Sequence, residues 1–329
     1  MKSATSVTLG ALISAFLCAC TVTPTTQIKA FGDSTKAITD KVDAVITEYN
    51  QAALTRSFTD FAATYNGQFA NRLTSEGLGE LGQPLDERTK QGIAIYRANH
   101  TIGIYAESLG ELAAAGSRAE IDTAAARLFG AMSGLNTQYK TLHTNQGELF
   151  SGSDFAATTK FIAAIGSTIV EERRNAAIKE IVLAADPKIS LLCDVIDKQL
   201  EESGIHEGIS TARQYVLAEE IRDYKRQVQK DLPLEWRRNE IKRLYELKKG
   251  ITGSKLAIQT AQKAIQEVKT AHNTLAEELR KDRFSSEGIA RAVGRLRDLE
   301  SHYNDYEALL LECKKIEKDN QGILSCNDL

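Results

Sequence analysis

The side chains best suited to metal binding are scattered through this 329-residue chain. Its five histidines are His100, His143, His206, His272 and His302. None of them lies three or four residues from another, which is the spacing that places two imidazoles on one helix face around a metal ion. His272 falls on an apolar helical stripe, where most histidines are hydrogen-bonded core groups. The sequence therefore predicts no metal site and no cofactor.

Two glycine-rich segments match nucleotide-binding loops only superficially. Gly77-Leu-Gly-Glu-Leu-Gly82 has the spacing of a dinucleotide fingerprint, but it follows a helical pattern rather than a strand and leads to Pro84. We predict a loop there. Gly250-Ile-Thr-Gly-Ser-Lys255 is two residues shorter than a phosphate-binding loop, and we predict a helix end followed by a new N-cap at Ser254. The sequence contains no Gly-x-Ser-x-Gly motif of the serine hydrolases. It therefore offers no candidate catalytic residue, although it does not exclude an enzyme.

The first twenty residues have the layout of an export signal. Lys2 supplies positive charge, and the following apolar run is long enough for a signal-peptide core but too short to span a bilayer. The run ends in Leu17-Cys18-Ala19-Cys20. This tetrapeptide resembles the lipobox of bacterial lipoprotein precursors, in which an aliphatic residue and two small residues precede an acylated cysteine. That family usually has Ala, Ser or Gly where this chain has Cys18.

The lipobox resemblance implies a location in the cell but no biochemical activity. Residues 1–19 would be a signal peptide, Cys20 would carry acyl chains such as palmitate, and residues 20–26 would form a lipidated tether. Two or more chains anchor a protein stably in a bilayer, whereas one binds marginally. Thr21 in place of Asp resembles Gram-negative sorting to the outer membrane, facing the periplasm. The alternative is an ordinary secretory signal with a soluble product.

Three further cysteines would remain in an oxidising compartment: Cys193, Cys313 and Cys326. Cys193 shares a helical face with aliphatic residues, so we predict that it is buried. Cys313 and Cys326 flank a turn-like segment, and a disulfide between them would fix the C-terminal tail to the last helix. Such a bridge is worth roughly 3 kcal/mol in the loop-entropy model. Three free thiols, or pairing of Cys193 with either of the others, are the alternatives.

Composition and periodicity predict an all-α protein, an antiparallel helical bundle. The chain has four prolines and 6% aromatic residues, and apolar residues recur at intervals of three and four. We predict a three-helix N-terminal unit over 27–149 and a larger helical unit over 150–329. Asp186-Pro187 is expected to break a helix. The last two helices should form a long coiled-coil-like hairpin, and their heptads would equally suit a homo-oligomer.

Basic residues concentrate within residues 222–249, around the only tryptophan. The candidate partner-binding residues are Arg222, Lys225, Arg226, Lys230, Trp236, Arg237, Arg238, Lys242, Arg243, Lys248 and Lys249. They predict a surface for an anionic partner, such as lipid headgroups, cell-wall polymer or an acidic protein face. The alternative is a solvated face balanced by acidic neighbours. The net charge of −3 gives no reason to expect nucleic acid.

The function predicted from these features is a non-catalytic helical scaffold or adaptor, anchored to the cell envelope by lipid. Its partners would be the bilayer, through acylated Cys20, and an envelope protein or anionic surface. The first alternative is a helical membrane-active, pore-forming-like protein that uses Phe155–Val170, a stretch with one charged residue. An enzyme of unknown class is the third.

Overall fold

The computed structural model describes residues 24–64, 74–81, 87–142, 147–156, 171–202, 204–281, 286–312, 316–318 and 324–326. The predicted signal peptide, the acylation site at Cys20 and all but the first two residues of 155–170 lie outside the described residues. The predictions made for those segments therefore stay predictions.

The chain is all-α, as predicted. The α-helices of seven or more residues in the described parts of the chain are α1 (Pro24–Thr64), α2 (Ser75–Leu81), α3 (Glu87–Ala114), α4 (Arg118–Leu142), α5 (Glu171–Glu202), α6 (Ile205–Gln227), α7 (Leu234–Arg280) and α8 (Ser286–Glu312). A small antiparallel hairpin, β1 (Ile316–Lys318) and β2 (Leu324–Cys326), follows α8. The sequence did not predict this hairpin, because strands of three residues are too short to show an alternating pattern.

The helices form a mainly antiparallel bundle around one apolar core. Helices α1 and α3 to α8 all contribute residues to the core. Phe31, Tyr105 and Phe150 are fully buried aromatic side chains within it. It contains residues on both sides of the predicted boundary at residues 149 and 150. None of the helices in the described parts of the chain is both long enough and apolar enough to cross a bilayer.

Glycines allow α1 and α3 to approach closely. Gly32 of α1 faces Gly110 of α3, and a Cβ at Gly32 would lie 3.1 Å from the Cα of Gly110 and would clash with the carbonyl oxygen of Ala106. We expect Gly32→Ala to lower the free energy of unfolding by about 1–3 kcal/mol, because backbone atoms cannot give way without separating the helices.

The matched control is Gly130→Ala on α4, where a Cβ would meet no atom within 4 Å. That change should be neutral or stabilising by up to about 1 kcal/mol, since alanine favours helix. Urea unfolding followed by circular dichroism measures both variants. Equal effects of the two changes would contradict the close packing of α1 on α3.

Two predicted helix breaks are wrong, because tertiary contacts override the local signals. Helix α5 continues through Pro187, with Val182 and Ile189 buried on either side and Asp186 bound by two side chains of α7. Helix α7 continues through Gly250. The hydroxyl of Ser254, predicted as an N-cap, donates instead to the carbonyl of Gly250 at 3.0 Å.

Residues 77–81 of the glycine-rich segment are helical, so the loop predicted for them is wrong. Helix α2 covers Ser75–Leu81. The hydroxyl of Thr74 accepts a hydrogen bond from the backbone N–H of Gly77 at 3.1 Å, and the Thr74 carbonyl accepts one from Leu78 at 3.0 Å. These two bonds supply the N-terminal cap that the glycine pattern did not indicate.

Helices α7 and α8 form the predicted antiparallel pair. Glu278 packs against Gly288 near the connection, and Arg295 Nε lies 3.8 Å from Glu267 Oε2 further along both helices. Helix α8 also packs on α1, so the pair is part of the bundle rather than a separate arm. The coiled-coil character of this hairpin stays a prediction.

Candidate interaction surface

A two-helix arm projects from the bundle core. The last buried residue of α6 is Val216 and the first buried residue of α7 is Leu244. No residue from 217 to 243 is buried, although all of them are described. We call residues 217–243 the arm. Gln227 lies eleven residues beyond Val216 (227 − 216 = 11), or about 17 Å at 1.5 Å per residue.

Contacts between α6 and α7 keep the arm ordered without a buried core. Trp236 stacks on Tyr224 with ring centroids 5.9 Å apart and an interplanar angle of 8°. Arg243 donates to Glu220 at 2.5 Å and to Glu240 at 2.9 Å. The hydrogen bond to Glu220 raises the pKa of the Arg243 guanidinium, which therefore stays charged and paired. These side chains face inward, between the two helices.

The arm lies at the C-terminal end of α1, away from the predicted tether. Along α1, Tyr49 contacts Gly208, Glu48 binds Arg213, and Asp60 accepts a hydrogen bond from Tyr215 at 2.6 Å. Helix α6 therefore runs parallel to α1 and continues past its end. Since α1 has 41 residues, its N-terminus is about 60 Å from this end.

The structure divides the predicted partner-binding residues into two groups. Arg222 and Arg226 are ion-paired with Glu219 and Asp223 of their own helix, while Arg243 and Trp236 are used inside the arm. The second group forms no ion pair with any carboxylate in the described parts of the chain. Its members are Lys225, Lys230, Arg237, Arg238, Lys242, Lys248 and Lys249.

Five of these cations share one face of α7 with exposed apolar side chains. Leu234, Ile241 and Tyr245 are 62%, 52% and 48% exposed. At 100° per residue these three side chains fall within about 40° of arc. The outward face, as we define it, consists of Leu234, Arg237, Arg238, Ile241, Lys242, Tyr245, Lys248 and Lys249. It spans about 140° and contains no carboxylate, because Glu235, Glu240 and Glu246 lie on other faces.

Sequence reasoning found the cations of this surface but missed its apolar residues. It treated residues 222–249 as one charged stretch and did not separate inward from outward positions. The spacing of Leu234, Ile241 and Tyr245, at seven and then four residues, is the signal that could have revealed the face. The sequence does not show which helices pack on that face, because such packing depends on contacts between distant residues.

A second polar site is buried in the core around His272. Its Nδ1 lies 3.1 Å from Asp186 Oδ1, its Nε2 lies 3.1 Å from the hydroxyl of Tyr105, and Arg280 donates to Asp186 Oδ2 at 3.1 Å. With a proton on Nδ1, every one of these atoms is satisfied. Burial opposes ionisation of Asp186, but the hydrogen bonds from His272 and Arg280 and the positive charge of Arg280 outweigh it and lower its pKa.

The His272 site has the character of a structural network. His272 is 1% exposed and Tyr105 is 1% exposed, so no substrate reaches either side chain. Burial raises the pKa of the Tyr105 hydroxyl, with the Asp186 charge adding to the effect. The tyrosine therefore stays protonated and serves as a hydrogen-bond donor. The sequence expectation that His272 is a hydrogen-bonded core group is confirmed.

A third polar cluster joins α1 to α3. Asp43 Oδ1 accepts a hydrogen bond from Asn99 Nδ2 at 2.7 Å, and Asp43 Oδ2 lies 2.9 Å from His100 Nδ1. Burial raises the pKa of Asp43 to about 6, although these two contacts partly oppose the rise. Ligand atoms of Asp40, Asp43 and His100 lie within 4.8 Å of one another and could hold a metal ion. The protein itself uses these groups, since Lys36 pairs with Asp40.

Only some of the predictions about the cysteines concern residues that the structure describes. Cys193 is fully buried, as predicted for its helical face. Its thiol is free, and burial raises its pKa to about 12. Such a thiol is inert toward oxidation and metal binding. Cys313 lies outside the described residues, and Cys326 is described only as the backbone partner of Ile316 in the β-hairpin. The Cys313–Cys326 disulfide therefore stays a prediction.

Comparison with known proteins gives no family. No family model matches the chain, and neither the curated proteins nor the solved structures contain a match.

Proposed function

We propose that this protein is a lipid-anchored, non-catalytic helical adaptor of a bacterial cell envelope. Cys20 would hold the N-terminal end of α1 at a membrane, most simply the outer membrane on its periplasmic side. The arm would engage an anionic partner at the other end of the bundle. The observation that carries this proposal is the arm itself, with no buried residue from 217 to 243 and a cationic outward face.

The exposed apolar and cationic side chains of the arm support a role in binding a partner. Exposed aliphatic side chains such as Leu234 and Ile241 do not stabilise the fold, and they gain free energy only when another surface covers them. The five cations of the outward face, which form no ion pair with a described carboxylate, repel one another and gain from an anionic partner. The polar groups of the His272 site are satisfied within the core, so the arm is the better-supported functional surface.

The test of the anchor is Cys20→Ser in the whole precursor, expressed in a Gram-negative host. Wild type should incorporate labelled palmitate, lose residues 1–19 and remain with membranes after a 1 M salt wash. Cys20→Ser should lose the label and be released by the wash, because 1 M salt reduces the Debye length to about 3 Å and removes charge-based binding. Cys18→Ser is the matched control and should behave like wild type.

Retention of Cys20→Ser with the membranes after the salt wash would refute the lipid anchor. Loss of the label in the Cys18→Ser control would reassign the acylated residue and refute cleavage before Cys20. Both readouts are independent of what the arm binds.

A further inference from the structure

The outward face of α7 is chemically suited to one kind of partner. It places two aliphatic side chains and one tyrosine among five cations, and these cations form no ion pair with any described carboxylate. Surfaces that serve only solubility mix both signs of charge and avoid contiguous apolar residues. We propose that the outward face binds an anionic phospholipid bilayer. This deepens the proposed function, on which it rests only for the location of the arm.

The arrangement of the side chains favours a bilayer over other anionic partners. In interfacial helices an apolar stripe enters the boundary between headgroups and acyl chains while flanking Lys and Arg contact phosphates. On α7 the apolar residues lie at the centre of the face and the cations lie on both sides of it. A cell-wall polymer offers anionic groups but no apolar phase for Leu234 and Ile241, so it would leave these side chains exposed.

The position of the face makes such binding sterically possible. The arm extends beyond the end of α1, and α6 packs along this part of α7 on the side of Trp236 and Arg243. The outward face runs from Leu234 to Lys249, about 22 Å of helix (249 − 234 = 15 residues), and Leu234 and Ile241 on it are each more than half exposed. A flat bilayer surface can approach it without displacing another element in the described parts of the chain.

Vesicle co-sedimentation tests the proposal with residues 20–329 carrying Cys20→Ser, which retains every described helix and cannot be acylated. The protein should bind vesicles containing 40% phosphatidylglycerol and should not bind pure phosphatidylcholine vesicles. Arg237→Glu together with Arg238→Glu should lower the partition coefficient at least about 30-fold, since each cation near an anionic surface contributes about a fivefold factor. Leu234→Ser together with Ile241→Ser should lower it about tenfold.

The matched control is Arg118→Glu together with Lys140→Glu on α4. Both residues are exposed, and the pair makes the same charge change at a distance from the arm. This control should bind within about twofold of the unmodified protein. Circular dichroism and thermal unfolding of every variant establish that the fold is kept, because all four arm side chains are exposed.

Tryptophan quenching by brominated lipids tests which face enters the bilayer. Native Trp236 faces α6 and should be quenched weakly. In a Trp236→Phe background, Ile241→Trp places the fluorophore on the outward face and should be quenched at least about twice as strongly. Equal quenching at the two positions would overturn the proposed orientation.

Three results would overturn the bilayer proposal. One is absence of binding to the phosphatidylglycerol vesicles, and another is binding that the arm variants leave unchanged. The third is binding to isolated peptidoglycan or to an acidic protein with no binding to vesicles, which would assign the face to a different partner. None of these results bears on acylation of Cys20, so the two proposals fail separately.

Discussion

Replacing Asp186 by alanine should lower the free energy of unfolding by about 3 kcal/mol at pH 7. Asp186 is 8% exposed and joins His272 and Arg280 of α7 to α5. Without its carboxylate, the Nδ1 of His272 keeps a polar hydrogen in a site that water does not reach. Removing one partner of a buried polar or charged pair costs more than the pair itself contributes.

The control for Asp186→Ala is Asp194→Ala, two turns further along the same helix. Asp194 also binds a cation of α7, with Lys269 Nζ 2.6 Å from its Oδ1, but its side chain is 49% exposed. Solvent-exposed ion pairs contribute little, so this variant should lose less than about 1 kcal/mol. Urea denaturation at pH 7 compares the two variants. Similar losses for both would mean that the His272 network is not a distinct buried contribution.

The effect of Asp186→Ala has a defined pH dependence. The folded-state pKa of Asp186 lies below its ordinary value of 3.8. The stabilisation by its carboxylate is therefore complete above pH 4 and is lost as the pH falls through the folded-state pKa. The difference between wild type and variant should shrink when the same titration is repeated at pH 3. A difference that persists unchanged at pH 3 would contradict a role for the charged carboxylate.

The sequence predicted the structure correctly where the pattern within a single helix was sufficient to identify its buried face. The apolar stripe through Ile28, Phe31, Ile38 and Val42 predicts a buried face, and all four residues are buried. The breaks predicted at Pro187 and Gly250 failed because neighbouring helices hold these segments. Proline within a helix costs about 3 kcal/mol, and several buried side chains on each side of it can offset that cost.

Contacts between residues far apart in the sequence could not be predicted from the sequence. His272 meets Asp186 from 86 residues away and Tyr105 from 167 residues away, and no local pattern links them. The arm shows the opposite limitation. The stripe through Leu217, Ile221, Tyr224 and Val228 predicts a packed face, yet these residues are only half-buried. Periodicity identifies an apolar face but not the number of helices available to cover it.

The Asp43 cluster provides the second large expected effect, in the direction of higher stability. Asp43→Asn should raise the free energy of unfolding by up to about 3 kcal/mol at pH 8. Folding raises the pKa of Asp43 from 3.8 to about 6, and each unit corresponds to 1.36 kcal/mol. The folded state therefore favours the neutral carboxyl. The contribution of Asp43 to stability is complete below pH 3.8 and is lost as the pH rises through 6.

Asparagine suits the site because it removes the charge and keeps the geometry. Its side-chain oxygen can accept the hydrogen bond from Asn99, and its amide can donate to His100. At pH 8 the comparison also avoids the range in which histidine side chains usually titrate. Urea unfolding of wild type and Asp43→Asn at pH 4, 6 and 8 should show a gain for the variant that grows with pH.

Asp40→Asn is the control, one turn before Asp43 on α1. Its carboxylate is 51% exposed and pairs with Lys36, so the change should alter stability by less than about 1 kcal/mol at any of the three pH values. A loss of stability in Asp43→Asn at pH 8 would show that His100 and Asn99 stabilise a charged Asp43. The cluster would then be an ion pair between α1 and α3 rather than a buried neutral acid.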